Sequence, residues 1–111
     1  MSTSSIERKQ LLAAALGNRN VTTVDIREIT LGAGQKSGRH VHPCAVVGYI
    51  AEGTAFYQVE GEPAHTLHAG SAFYEPANKV IADFGNASEE APMTFIAFYL
   101  LDGEQELIKI L

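Results

Sequence analysis

The chain has 111 residues, 46% of them apolar and 19% charged, which suits one hydrophobic core and is too few for two comfortable domains. Its net charge of −5 comes with no run of Lys or Arg. That excludes the clustered basic surface that nucleic acids require, and it is the wrong sign for an anionic membrane. No apolar stretch approaches the roughly 20 residues of a membrane span.

The opening Met1–Gln10 (MSTSSIERKQ) is polar and lacks the apolar segment of a signal peptide. Cys44 is the only cysteine, so no intramolecular disulfide forms. Together these lead to the expectation of a cytoplasmic protein. Asn20-Val21-Thr22 and Asn86-Ala87-Ser88 match the glycosylation sequon, which carries little weight without a secretion signal.

In chain order, residues 1–20 read as a helical extension. Ser4 and Glu7 fit a capping box, Leu11, Leu12, Ala15 and Leu16 recur at helical spacing, and Gly17 is a natural stop. This predicts a short helix over 5–16 that packs an apolar stripe on a sheet or on a partner subunit. Residues 21–111 read as one β domain. The segment Val21–Leu31 is rich in β-branched residues, and its alternation slips between Ile26 and Ile29, which predicts a bulge. Short apolar runs cut by Gly, Pro and Asn predict strands over 39–51, 54–60, 64–68, 71–75, 79–84 and 93–101, the texture of an all-β sandwich or barrel. The tail from Glu104 to Leu111 fits a helical turn or a strand equally well.

His40 and His42 are the first residues with clear chemical promise. On a strand, positions i and i+2 point to the same face about 6.5–7 Å apart, so two imidazoles can converge on one ion. Pro43, with no N–H, then ends regular pairing. A bare His-x-His is also met as a surface or core pair.

The surroundings are more specific. Gly34, His40, His42-Pro43 and the run Gly48-Tyr49-Ile50-Ala51-Glu52-Gly53 closely resemble the first motif of the cupin superfamily. Gly70-Ser71-Ala72-Phe73-Tyr74-Glu75-Pro76, with Asn86 further on, is similar to the second. The resemblance covers roughly residues 21–101. It implies an all-β, cupin-type jelly-roll β-barrel behind the N-terminal helix, with the site inside the barrel and a homodimer as the assembly.

The sequence departs from that family at its ligands. Where the family places a carboxylate or glutamine stand Val46 and Val47, and where it places a third histidine stands Ile81. None of these can hold a metal, which leaves His40 and His42. Catalytic mononuclear sites usually take three protein ligands. Three residues are candidates for the third. Cys44 shares the parity of the histidines and would favour zinc, copper or iron, or else is a small buried hydrophobe. Asp83 shares the parity of Ile81, or else is a solvated strand-end residue. Glu75 precedes Pro76, where cupin-like sequences often have a glutamate, or else makes a structural hydrogen bond. Gln58 has no special claim. His65 and His68 lie three apart on a strand and so point to opposite faces. Cys44 and His42 are too close on one strand for a thiol–imidazole nucleophile. No nucleophile elbow, phosphate loop or dinucleotide fingerprint occurs.

Two functional readings follow. In the first, the pocket around His40 and His42, lined by Cys44, Val46 and Ile81, binds a small molecule, with a loosely held metal or none, and is not an efficient metalloenzyme. In the second, the chain is a metal-dependent enzyme of dioxygenase or isomerase type. A rearranged ligand set then holds Fe, Mn, Ni or Zn.

Overall fold

The computed structural model describes residues 5–111. Nine strands follow one another: β1 Thr23–Leu31, β2 His40–Val41, β3 Ala45–Glu52, β4 Thr54–Val59, β5 His65–His68, β6 Ala72–Glu75, β7 Val80–Asn86, β8 Met93–Leu101 and β9 Lys109–Ile110. They form a four-stranded sheet ordered β1-β8-β3-β6 and a five-stranded sheet ordered β5-β4-β7-β2-β9. The architecture is an all-β jelly roll of two sheets that do not close into the barrel expected from the sequence.

The run expected as one strand over 39–51 is divided at Pro43. Proline cannot donate to a ladder, and here it separates β2, in the five-stranded sheet, from β3, in the other. The two histidines and the valines after them therefore serve different layers. Gly53 makes the tight β3–β4 connection. Its φ of +83° is left-handed, and a Cβ there would lie 2.8 Å from the Pro92 carbonyl oxygen.

The core lies between the sheets. Ile50, Ile81, Met93, Val46 and Cys44 are fully enclosed, and Phe73, Phe84 and Phe95 stack on one another at centroid distances of 4.7–5.9 Å. Asn86 clasps one end of the sandwich. Its Nδ2 donates to the Gly32 and Ala91 carbonyls at 3.0 and 2.7 Å, and its Oδ1 accepts from the Ser88 N–H. The amide is buried and fully used, so the sequon at Asn86 is a structural asparagine.

Two local expectations are corrected. Residues 5–16 form no helix, and Ser4, the expected cap, lies outside the described residues. A helix this short depends on burying an apolar stripe, yet Ile6, Leu11 and Leu12 remain 74%, 50% and 43% exposed. The bulge between Ile26 and Ile29 is also absent. β1 pairs with β8 without interruption from Thr23↔Leu101 to Leu31↔Met93. The slip in alternation has another cause. Ile29 faces the core, while Val24 and Ile26 sit on an outer face that is itself apolar, beside Ile96, Phe98 and Val47. The tail resolves as a strand, β9, which pairs with β2 through His40↔Ile110 and Val41↔Lys109.

Candidate metal centre

Strand register sets the site. On the inner face of the four-stranded sheet, Tyr99 pairs with Val46, and Val46 with Glu75. Within β6, Phe73 and Glu75 are buried while Ala72 and Tyr74 are less so, which is a period-2 pattern. A carboxylate is thereby carried inward on the same face as a core phenylalanine. His40, on β2 of the other sheet, and His42, one residue beyond that strand, approach it, both buried, with ring centroids 4.9 Å apart and the rings nearly perpendicular.

The three side chains converge. His42 Nε2 lies 2.7 Å from Glu75 Oε2, and His40 Nε2 lies 3.5 Å from Glu75 Oε1. One ligand atom from each of His40, His42 and Glu75 falls within 4.8 Å of the others. The far side of each ring is fixed as well. His40 Nδ1 donates to the Gly38 carbonyl at 2.7 Å, and His42 Nδ1 donates to the Leu107 carbonyl at 2.6 Å. A carbonyl can only accept, so each Nδ1 carries a proton, and each Nε2 of a neutral ring presents a lone pair to the carboxylate. Outer partners of this kind set the tautomer and angle of metal-ligating histidines.

Such an arrangement needs a positive charge at its centre. His42 Nε2 and Glu75 Oε1 are buried without a hydrogen-bond donor or acceptor to satisfy them. A second ring proton would turn the 2.7 Å approach into an ion pair, and a cation would satisfy all three groups. Electrostatics point the same way. Burial is the largest influence on Glu75 and pushes its carboxyl upward, but hydrogen bonding and attraction to His40 and His42 outweigh it and hold the group below the usual carboxylate range. For His40, burial again acts most strongly and disfavours charge. Glu75, the Gly38 carbonyl and the charge of Asp83 together overcome it and raise the imidazole.

The other expected residues fall elsewhere. Asp83 does not reach the centre, because its Oδ1 accepts the Gly38 N–H at 3.1 Å, which steadies the loop whose carbonyl holds His40. Cys44 is buried and free in the core, and burial pushes its thiol upward. Pro43 separates it from the strand that carries His40. Ile81 pairs directly with His40 but packs in the core. Gln58 turns outward to the Glu62 carbonyl. His65 and His68 are exposed.

A cavity of about 130 Å³ opens beside the triad. Ile29, Leu31, Val46, Phe84, Phe95 and Ala97 give it an apolar wall, and Ser37, Tyr99 and the triad give it a polar end, with Ile108 at its edge. Of the three residues expected to line the pocket, Val46 does so, while Cys44 and Ile81 stand outside the lining. Burial first, and the charge of Glu75 second, raise the Tyr99 phenol, so it remains a hydroxyl donor at neutral pH.

Nothing in the residue types signals the carbonyls of Gly38 and Leu107 or the contribution of Ile108. Glu75 had a usable signal, its parity with Phe73.

Comparison with known proteins agrees with this architecture. The cupin domain family matches residues 27–99, well over half of the chain, and the chain belongs to that family. Among solved structures it is similar to a cupin-like protein of Thermotoga maritima, with 23% identity and a TM-score of 0.70, over 79% of this chain and 64% of that one. It is similar also to the DMSP lyase DddQ of Ruegeria pomeroyi, with 20% identity and a TM-score of 0.68, over 78% of this chain and 42% of that one. A third is an oxalate oxidase in complex with the substrate analogue glycolate, at 16% identity and a TM-score of 0.67, over 79% of this chain and 46% of that one. The chain thus spans less than two thirds of the length of each, and at these identities the likeness is one of fold. No curated protein matches. No helix of the described residues is long and apolar enough to cross a membrane.

Proposed function

We propose that this cupin holds a divalent transition metal on His40, His42 and Glu75 and acts on a small molecule bound in the adjoining cavity. The observation that carries the reading is the buried triad. Two Nε2 lone pairs and a carboxylate meet with no donor between them, while both Nδ1 atoms are already committed to carbonyls. Two histidines and one carboxylate form the donor set used for Fe(II) and related ions, and three protein ligands leave positions open for a substrate. When bound, such a metal supplies Lewis-acid activation or a centre for dioxygen chemistry.

The chain's own residues supply the rest. The apolar wall excludes water and receives a hydrocarbon portion, while Tyr99 and Ser37 bring hydroxyl groups to the polar end. A divalent ion beside a single carboxylate keeps net positive charge in a buried site, which favours a ligand with an anionic oxygen. The volume of about 130 Å³ is well below the roughly 300–1,000 Å³ of drug-sized sites, so the molecule is small. Two of the similar structures are enzymes, a lyase and an oxidase, which accords with this reading at the level of fold.

A second reading has a specific observation behind it. The 2.7 Å separation of His42 and Glu75 is short enough for a shared proton to close the triad. The pocket would then bind a small molecule without a metal. Calorimetric titration of metal-free protein with Mn(II), Fe(II), Ni(II) and Zn(II), beside Glu75→Gln, separates the two. Saturable binding at one site, lost in the variant, is expected. Absence of binding for all four ions would leave the metal-free pocket.

A further inference from the structure

Residues 104–111 touch the site directly. The Leu107 carbonyl accepts the His42 Nδ1 proton at 2.6 Å, and Ile108 lines the cavity. β9 pairs with β2 through His40↔Ile110 and Val41↔Lys109, and the Leu111 N–H donates to the Arg39 carbonyl at 3.1 Å. Gln105 Nε2 reaches the Pro43 carbonyl at 3.3 Å. The segment is therefore tied to the stretch Arg39–Pro43, which carries both histidine ligands.

Its hold is nonetheless light. β9 has two residues and sits at the edge of its sheet. Ile108, Ile110 and Leu111 are 40%, 65% and 54% exposed, and Leu107 supplies the segment's packing against the core. Segments with few buried contacts and exposed hydrogen bonds open at a small fraction of the global unfolding cost.

We propose that residues 104–111 are a detachable strap belonging to the metal site: docked, the strap fixes His42 through the Leu107 carbonyl and closes the cavity with Ile108. Undocked, it frees the His42 ring to change tautomer or rotate and opens the cavity to solvent. Strap docking and metal binding are then coupled, and the coupling is reciprocal, because each shifts the other's equilibrium by the same factor. The inference rests on the metal reading of the triad, and it assigns the path by which small molecules enter.

The test uses Zn(II) as the probe, with affinity measured by chelator competition on the full chain and on a variant ending at Gly103. The account expects Zn(II) to bind about 10–100-fold more weakly to the shortened chain, the usual effect of losing an outer partner of a ligand histidine. Circular dichroism establishes that the variant is folded. Equal affinity in a folded variant overturns the inference while leaving the metal centre intact. Should the variant not fold, hydrogen exchange on the full chain decides. Saturating Zn(II) must slow exchange at the β9 and Leu111 amides by the same factor, and unchanged exchange there overturns the strap. A full chain that binds no Zn(II) overturns the metal reading and the strap with it.

Discussion

His40 and His42 are two residues apart, equally buried, and aimed at the same carboxylate, yet they are held by opposite strategies. His40 is fixed locally. Its Nδ1 bonds the carbonyl of Gly38, two residues back, and Asp83 anchors the Gly38 N–H from the neighbouring strand. His42 is fixed remotely, by a carbonyl 65 residues further along the chain. One histidine is thus built into the sandwich and the other depends on a segment 65 residues further along. A His-x-His spacing places two imidazoles side by side and carries no sign of what orients them.

The largest effect belongs to the shared partner. Glu75→Gln keeps the shape and removes the charge, and metal affinity should fall by more than the roughly 100-fold that an outer partner costs, as read by chelator competition. His40→Ala and His42→Ala should each do the same. On the local side, Asp83→Ala should weaken metal binding by about 10-fold, the low end for such supports, because the Gly38 carbonyl still holds the ring. An Asp83→Ala loss as large as that of a ligand would show that the loop, and not the carbonyl, fixes His40.

Protons compete with a metal for the same three side chains. Metal must displace protons from the triad, so affinity should rise with pH. Since His40 holds its proton above the ordinary 6.5 of histidine, the rise should continue past that value in the wild type. Glu75→Gln removes the largest of the influences that raise His40, so any residual binding should level off at lower pH. Equal profiles would contradict the hold of Glu75 on the His40 proton.

Core and surface differ as the burial implies. Ile81→Ala opens a cavity beside His40 and should cost about 2–5 kcal/mol in thermal or denaturant unfolding. The smallest effect is expected at the N-terminus, where Leu11→Ser should change stability by only about 0.5 kcal/mol. A larger loss would mean that the apolar segment is covered after all.

Most of the fold was legible because its strands carry period-2 patterning and glycine or proline punctuation. Seven strand expectations overlap observed strands, although the run over 39–51 was not divided between two sheets at Pro43. The N-terminal helix misled because spacing and a cap describe a helix's capacity, while burial decides whether it forms, and Leu11 and Leu12 find little. The apolar outer face at Val24 and Ile26 imitated a bulge. At the site, His40 and His42 were legible from spacing, and Glu75 stood among three candidates. Its parity with Phe73 favoured an inward direction, and the register of β6 beside β3, with Glu75 opposite Val46, supplies its place at the site. The two carbonyls could not be read at all, since every residue has one and only the path of the chain makes these two functional.

The proposed metal centre rests on His40, His42 and Glu75 acting together. Elemental mass spectrometry of untagged protein, expressed with added Fe, Mn, Ni and Zn, tests it most directly beside a His40→Ala/His42→Ala variant. The account predicts close to one transition-metal ion per chain in the wild type and almost none in the variant. A wild type with only trace metal, matching the variant, would contradict it and leave a pocket closed by a proton.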